Sequence, residues 1–253
     1  MTQTDTQTET QIQTQTRMDV AADLKDQVER LVTLGVPALA GLTDTAFRDH
    51  ARELSGGADG LSTAPQVLAI HPSLVPARAL APLLSLDGKP GFVVEDMTDL
   101  EEFATVPGVE LPVAPLYLVH GIDRGDDLRD QSPEEALKVL ESRGRSPLTL
   151  HEGISWLLQQ PEAIEPNRCF MVLGTRKPKL RGGFDARTPA LWISGGTGRD
   201  GRDRRGAPKV GWCWWRNRHT WLGFASARST SVGVATASRR CVRCARSRTR
   251  RGW

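Results

Sequence analysis

The sequence is poor in cysteine and in long apolar runs, and each shortage excludes a class of protein. Its four cysteines are too few and too irregularly spaced for a disulfide framework. No stretch offers about eighteen consecutive apolar residues, the length that a membrane-spanning helix needs. The N-terminus also lacks the basic and apolar regions of a secretory signal. We therefore expect no membrane segment and a cytoplasmic location.

Acidic residues are scarce in the C-terminal third of the chain. Residues 176–253 contain 20 Lys or Arg and 3 Asp or Glu, whereas residues 1–175 contain 13 basic and 27 acidic residues. Such an asymmetry usually indicates a basic segment that meets nucleic acid or an acidic partner. The acidic partner could here be the first part of the same chain.

Both ends of the chain are predicted to be disordered. Residues 1–17 form a Thr/Gln-rich leader with no apolar face, and residues 228–253 form a basic tail without apolar periodicity. Between them we predict a single domain at residues 18–227, with exposed Arg/Gly-rich loops near residues 176–188 and 195–208.

Apolar spacing and capping pairs predict an α+β fold. Helical periodicity predicts helices near residues 19–35 and 43–54. Three further helix starts are predicted where Ser or Thr precedes Glu by three residues, at Thr98/Glu101, Ser132/Glu135 and Thr149/Glu152. Runs such as VLAI, LYLVHGI, CFMVLG and ALWISG predict strands. We expect helices packed on a mixed or antiparallel sheet that ends in a Trp-rich C-terminal hairpin.

The predicted hairpin, PKVGWCWWRNRHTWLGFASA at residues 208–227, contains four of the seven tryptophans. Strand alternation would place Trp212 and Trp214 on one face. Aromatic stripes are usually core, and that interpretation is favoured. The alternative is a stacking surface for a flat ligand. Its candidate ligand-binding residues are Trp212, Trp214, Arg216 and Asn217.

A charged turn, HGIDRGDDLRD at residues 120–130, follows a predicted strand, where open α/β sheets tend to place their sites. Arg124 is a candidate anion clamp. The candidate acids or bases are Asp123, Glu152 and His219. The structural alternatives are a solvated turn with local ion pairs and a helix-capping role for Glu152. Enzyme chemistry would require these side chains to line one pocket.

Two apparent motifs are rejected. GTGRDG at residues 196–201 matches a dinucleotide-binding pattern, but no helix follows to meet a pyrophosphate. Cys241 and Cys244 have the spacing of half a zinc site, and the other half is missing. We therefore predict neither a cofactor nor a metal.

Several segments carry a family resemblance, upstream in PALAGL, KPGFVVEDMTDLEEF and DRGDDLRD and downstream in SPEEALKVLESRGRSPLTLHEGISWLLQQPEAI, NRCFMVLGTR, PALWISGG and the 208–227 segment. Together they resemble a family of uncharacterised actinobacterial proteins, a domain of unknown function, over about residues 20–227. The resemblance implies membership and supplies no catalytic residue. Such proteins usually end soon after the position of Ala227. We therefore hypothesise that the basic tail is an appendage read from a shifted frame.

Three functions remain open at this point. The leading hypothesis is a binding or regulatory module for an unknown small molecule or protein, with contacts from the Trp-rich segment and the charged turn. The second is an enzyme acting on a small polar substrate. The third, which is not favoured, is nonspecific nucleic-acid binding through the basic C-terminal third.

Overall fold

The computed structural model describes residues 23–55 and 66–232. Its helices are α1 at residues 23–33, α2 at Val36–Leu39, α3 at Asp44–Ser55, α4 at Ala77–Leu80, α5 at Pro133–Ser142 and α6 at Leu150–Gln159. The predicted leader, most of the predicted tail and the pair Cys241 and Cys244 lie outside the described residues. No helix in residues 23–55 or 66–232 is both long and apolar enough to cross a membrane.

Within residues 23–55 and 66–232, fourteen strands build two principal sheets and three short pairs. The strands are β1 Gln66–Ile70, β2 Ser85–Leu86, β3 Lys89–Pro90, β4 Phe92–Val93, β5 Ala104–Thr105, β6 Leu116–His120, β7 Ser146–Pro147, β8 Cys169–Met171, β9 Thr175–Arg176, β10 Arg187–Ile193, β11 Pro208–Trp214, β12 Leu222–Phe224, β13 Ser226–Ala227 and β14 Ser229–Ser231. One principal sheet has the order β1-β6-β14, and the other has the order β12-β8-β10-β11-β4. The prediction of an α+β fold with a mixed sheet is confirmed.

Helix α6 lies between the two principal sheets. All its residues except His151 are buried, as expected for a helix that is apolar on every side. The hydroxyl oxygen of Ser155 accepts a hydrogen bond from the backbone N–H of Ile70 in β1, at 3.0 Å. On the other side, a Cβ atom at Gly153 would lie 2.9 Å from a methyl group of Val172, so glycine allows the helix to approach the five-stranded sheet.

Helix α1 contacts the outer side of β1 through one amide side chain. Gln27 Nε2 donates to the carbonyl of Gln66 at 3.0 Å, and Gln27 Oε1 accepts from the N–H of Leu68 at 2.7 Å. Gln159 of α6 then donates to the backbone carbonyl of Gln27 at 3.2 Å. The first helix, the first strand and the central helix are therefore joined by buried hydrogen bonds.

The predicted Trp-rich hairpin is wrong. Strands β11 and β12 belong to the same sheet, but β8 and β10 lie between them. β11 pairs with β10 over seven residues, and the three-residue β12 runs parallel to β8. The segment that connects β11 to β12 crosses the start of α5. There Arg216 pairs with Glu134, and Arg218 pairs with Glu135.

Two further predictions need correction. Thr98 and Glu101 do not begin a helix: residues Leu100–Glu102 form one 3₁₀ turn with no side-chain cap, and Glu101 instead pairs with Arg78. The boundary predicted after Ala227 is too early, because β14 pairs antiparallel with β6 in the register Ser229 to His120. The Arg/Gly-rich segments lie between β9 and β10 and between β10 and β11.

Candidate functional site

The charged turn after β6 is held together by its own side chains. Arg124 forms a two-pronged pair with Asp126, at 2.9 and 2.7 Å, and also donates to the carbonyl of Ala163 at 2.9 Å. This pair raises the pKa of Arg124. Asp123 accepts from the N–H of Gly125 at 2.8 Å, which closes a local turn. Arg124 therefore has its donors occupied by the protein, which leaves little for an external anion.

Glu152 occupies the third position of α6 and is only 3% exposed. Its carboxylate accepts from the N–H and hydroxyl of Thr149, at 2.7 and 2.9 Å, and from the hydroxyl of Tyr117 at 3.2 Å. Burial raises the pKa of Glu152, although the hydrogen bonds from Thr149 and Tyr117 oppose the shift. The geometry is that of a buried helix cap.

His219 and its neighbours lie beside the start of α5. The His219 ring packs edge-on against Trp221, with 5.3 Å between ring centroids, and burial lowers its pKa. Its Nε2 is buried and has no hydrogen-bond partner among residues 23–55 and 66–232. Arg216 is exposed and pairs with Glu134 at 3.5 Å, and Asn217 is also exposed.

The three candidate acids or bases have separate surroundings. Asp123 bridges to Ser226, Glu152 lies under Tyr117, and His219 lies against Trp221. None of them lines the open cleft beside β10 and β11 or the cavity at the start of α6. The convergence that an enzyme would require is therefore not found among Asp123, Glu152 and His219.

The described tryptophans are mostly at the margin of the core. Of the six, only Trp156 is buried. Trp214 is 48% exposed, and Trp192, Trp212, Trp215 and Trp221 are half-buried against the core. Trp212 and Trp214 share a face of β11, as alternation predicts, and their rings meet edge to face at 4.6 Å.

Two of these indoles border one open cleft of about 420 Å³, which we name the indole cleft. It lies where β10 and β11 meet the chain that follows β4. Trp192 comes from β10, and Trp212 comes from β11. The polar residues on its walls are Glu95, Asp96, Thr197, Arg199, Asp200 and Lys209.

Charges around the indole cleft are paired within the protein. Lys209 Nζ lies 2.5 Å from Asp200 Oδ2, with both side chains nearly buried, and Ser194 donates to the same oxygen at 2.7 Å. Arg199 pairs with Asp96 at 3.1 Å, and Arg204 pairs with Glu95 at 3.6 Å. The cleft is consequently rich in hydrogen-bonding groups and carries no net charge from these pairs.

The position of Trp192 depends on a glycine of the neighbouring strand. Lys209 Nζ lies 4.5 Å from the ring centroid of Trp192, a distance typical of a cation–π contact. A Cβ atom at Gly211 would lie 2.4 Å from Cη2 of Trp192. The missing side chain at residue 211 therefore lets the indole lie close to β11.

Sequence reasoning identified Trp212 and missed the other residues of the cleft. The segment GTGRDG, which does not predict a dinucleotide loop, is followed by a 3₁₀ turn at Arg202–Arg204. The same segment nevertheless supplies Thr197, Arg199 and Asp200 to the cleft. Alternation along ALWIS could have placed Trp192 on one face, but the partner residues follow only from the strand register.

No cluster of three or more His, Cys, Asp or Glu side chains with metal-binding geometry occurs within the described ranges. No curated protein and no solved structure matches the chain. A family model does match, over residues 30–233, and this range includes β14. The chain therefore belongs to a family of unknown function, DUF5701.

Proposed function

We propose that this protein is a small-molecule-binding module whose ligand occupies the indole cleft. The observation that carries the proposal is the placement of Trp192 and Trp212 on one cleft with a ring of paired charged groups. Binding sites commonly combine aromatic walls with a few well-placed polar groups. The family match by itself gives no activity, so the proposal rests on this geometry.

The favoured ligand class is a neutral, hydroxyl-rich molecule such as a sugar. Sugars present apolar C–H faces that pack on indoles, and hydroxyl groups that donate and accept in pairs. Carboxylates and cations held in ion pairs offer strong acceptors and donors side by side. A charged ligand would have to displace one partner of an existing ion pair, such as that between Arg199 and Asp96, whose charged atoms lie 3.1 Å apart.

The alternatives proposed from the sequence have less support. An enzyme using Asp123, Glu152 and His219 would need these residues to move together. For nucleic-acid binding, much of the basic charge that the structure describes is already paired: Lys177 and Arg187 bind Asp99, and Arg199 binds Asp96. That alternative thus depends chiefly on the tail beyond residue 232. A cytoplasmic location remains a prediction.

The test is a titration of the full chain with glucose, galactose, maltose and cellobiose, followed by saturation-transfer NMR. We expect at least one sugar to bind saturably, with its ring protons receiving saturation from aromatic side chains. Trp212→Ala should abolish the signal. Gly211→Ala should weaken it, because the added methyl group displaces Trp192.

Trp214→Phe is the matched control. It alters the adjacent exposed indole and keeps an aromatic ring against Trp212. Circular dichroism of each variant must show a parent-like melting transition. If none of the four sugars binds, or if binding survives Trp212→Ala unchanged, the proposed ligand class at this cleft is rejected.

A further inference from the structure

A second cavity lies at the start of α6, away from the indole cleft. Its volume is about 360 Å³, and it shares no lining residue with the indole cleft. Apolar side chains form most of its wall, including those of Leu100, Phe103, Leu150 and Ala77. We name it the His151 cavity, after the single imidazole that borders it.

The imidazole of His151 presents a defined hydrogen-bonding face. Its Nε2 lies 3.1 Å from the carbonyl oxygen of Val75, so Nε2 must carry the proton that this bond requires. Burial lowers the pKa of His151 to about 4, and the ring is neutral near pH 7. Nδ1 is then an unprotonated acceptor, and no protein donor reaches it within the described chain.

A donor is available on the same wall. Thr175 Oγ1 accepts a hydrogen bond from the N–H of Leu150 at 2.9 Å. Its own hydroxyl proton is not used by that bond, and the side chain borders the cavity. His151 and Thr175 therefore provide one acceptor and one donor, which is what a ligand hydroxyl group needs.

The cavity does not suit an anion, even though a helix begins beside it. The first N–H of α6 is bound by Thr175, and the N–H of Glu152 is bound by Thr149. The carboxyl group of Glu152 lies at the same end of the helix. Glu101, on the rim, is paired with Arg78 at 2.8 Å. The charged groups and helix N–H groups at this cavity are thus already paired within the protein and are not available to an anion.

We propose that the His151 cavity binds a small neutral alcohol or phenol, with its apolar body against Phe103 and Leu150 and its hydroxyl group at the wall formed by His151 and Thr175. A cavity of this size and largely apolar lining suits a ligand with one ring. This inference is independent of the proposal for the indole cleft, because the two sites share no residue.

The probe is phenol, compared with toluene, which has a similar shape and no hydroxyl group. Binding to the full chain is followed by the ¹⁵N chemical shifts of the His151 ring and by titration calorimetry. We expect phenol to bind about tenfold more tightly than toluene, the effect of one net hydrogen bond. His151→Phe should remove that preference while toluene still binds.

Three controls locate the site. His71→Phe changes the neighbouring histidine, which does not line the cavity, and should leave the preference for phenol intact. Trp212→Ala should also leave it intact, which separates this site from the indole cleft. Ala104→Phe adds a ring from an exposed position on the cavity wall and should block both probes even if His151→Phe fails to fold. Absence of phenol binding, or binding unaffected by Ala104→Phe, would overturn the inference.

Discussion

Helices α5 and α6 begin with the same capping motif in two different environments. At α5, Ser132 and Glu135 exchange hydrogen bonds between side chain and backbone, and Thr149 and Glu152 do the same at α6. The outer partner differs, since Glu135 meets the guanidinium of Arg218 and Glu152 meets the hydroxyl of Tyr117. The side chain of Glu135 is 44% exposed, whereas Glu152 is 3% exposed.

The two glutamates consequently differ in the direction of their pKa shifts. Hydrogen bonds from the backbone and hydroxyl group of Ser132 lower the pKa of Glu135. At α6 the same kind of bonds is outweighed by burial, which raises the pKa of Glu152. The motif fixes where each helix begins, and the surrounding protein fixes the charge state of its carboxyl group.

The largest effect is expected from Glu152→Ala. The change leaves the buried N–H of Thr149 and hydroxyl of Tyr117 without an acceptor. Each such donor costs about 1–3 kcal/mol, so we expect a loss of roughly 2–6 kcal/mol in the free energy of unfolding. Urea denaturation measures it. Glu135→Ala is the matched control and should be less harmful, because water can replace the lost acceptor. Equal losses would contradict the role assigned to burial.

Ser132→Ala should have an intermediate effect. It removes the acceptor for the N–H of Glu135, which lies 3.3 Å from the hydroxyl oxygen. Loss of a helix cap of this kind typically costs about 1 kcal/mol. Urea denaturation should show this loss, and Ser132→Asp should largely restore the parent stability. A Ser132→Asp variant no more stable than Ser132→Ala would show that capping is not the cause.

The pH dependence of two glutamine variants tests the opposite pKa shifts. A carboxyl group with a lowered pKa contributes stability above its ordinary pKa and loses it as the pH falls. A group with a raised pKa contributes stability below its ordinary pKa and loses it as the pH rises through the folded value. The loss of stability caused by Glu135→Gln, relative to the parent, should therefore be larger at about pH 7 than at about pH 4, and Glu152→Gln should show the reverse trend. Parallel urea titrations at the two pH values measure this, and the same trend in both variants would refute the assignment.

The smallest effect is expected from Arg218→Gln. Arg218 pairs with Glu135 at the surface, and its side chain is 55% exposed. Exposed ion pairs contribute little because water and salt screen them. We expect a change within the error of a denaturation measurement, and no dependence on salt concentration beyond that of the parent. A clear loss would mean that the crossover from β11 to β12 relies on this contact.

Much of the framework could be predicted from local sequence. The starts of α5 and α6 follow from Ser132/Glu135 and Thr149/Glu152, because a capping box uses only neighbouring residues. The same pattern at Thr98/Glu101 failed. Asp99, which lies between Thr98 and Glu101, forms ion pairs with Arg187 and Lys177 from distant parts of the chain. A local motif thus predicts a helix only where no tertiary contact claims its residues.

The connection between strands was harder to predict than the strands. The segment after β11 reads as a turn, yet it crosses to another part of the sheet. Its two arginines bind carboxylates at the start of α5. Arg218 and its partner Glu135 are separated by 83 residues in the sequence. The charge distribution suggests pairing between the acidic and basic parts of the chain, but the sequence does not indicate which residues meet.

The candidate site could be predicted only in part. Trp212 was identified from its place in an aromatic run. Trp192 was not, because its contact with Lys209 depends on the register in which these two residues face each other across β10 and β11. Arg124 was a reasonable anion clamp from sequence. Its enclosure by Asp126 and by the carbonyl of Ala163 requires the fold to be known.

The side chain of Gln27 bears on whether a second molecule can add a strand to the edge of the three-stranded sheet. β1 is an outer strand, and its free backbone groups at Gln66 and Leu68 are occupied by this one amide, while Ser155 occupies that of Ile70. An uncovered outer strand invites a strand from a second molecule. Gln27 and Ser155 occupy the groups at Gln66, Leu68 and Ile70 that such a strand would use, so the position of the first helix also opposes the addition of a strand at β1.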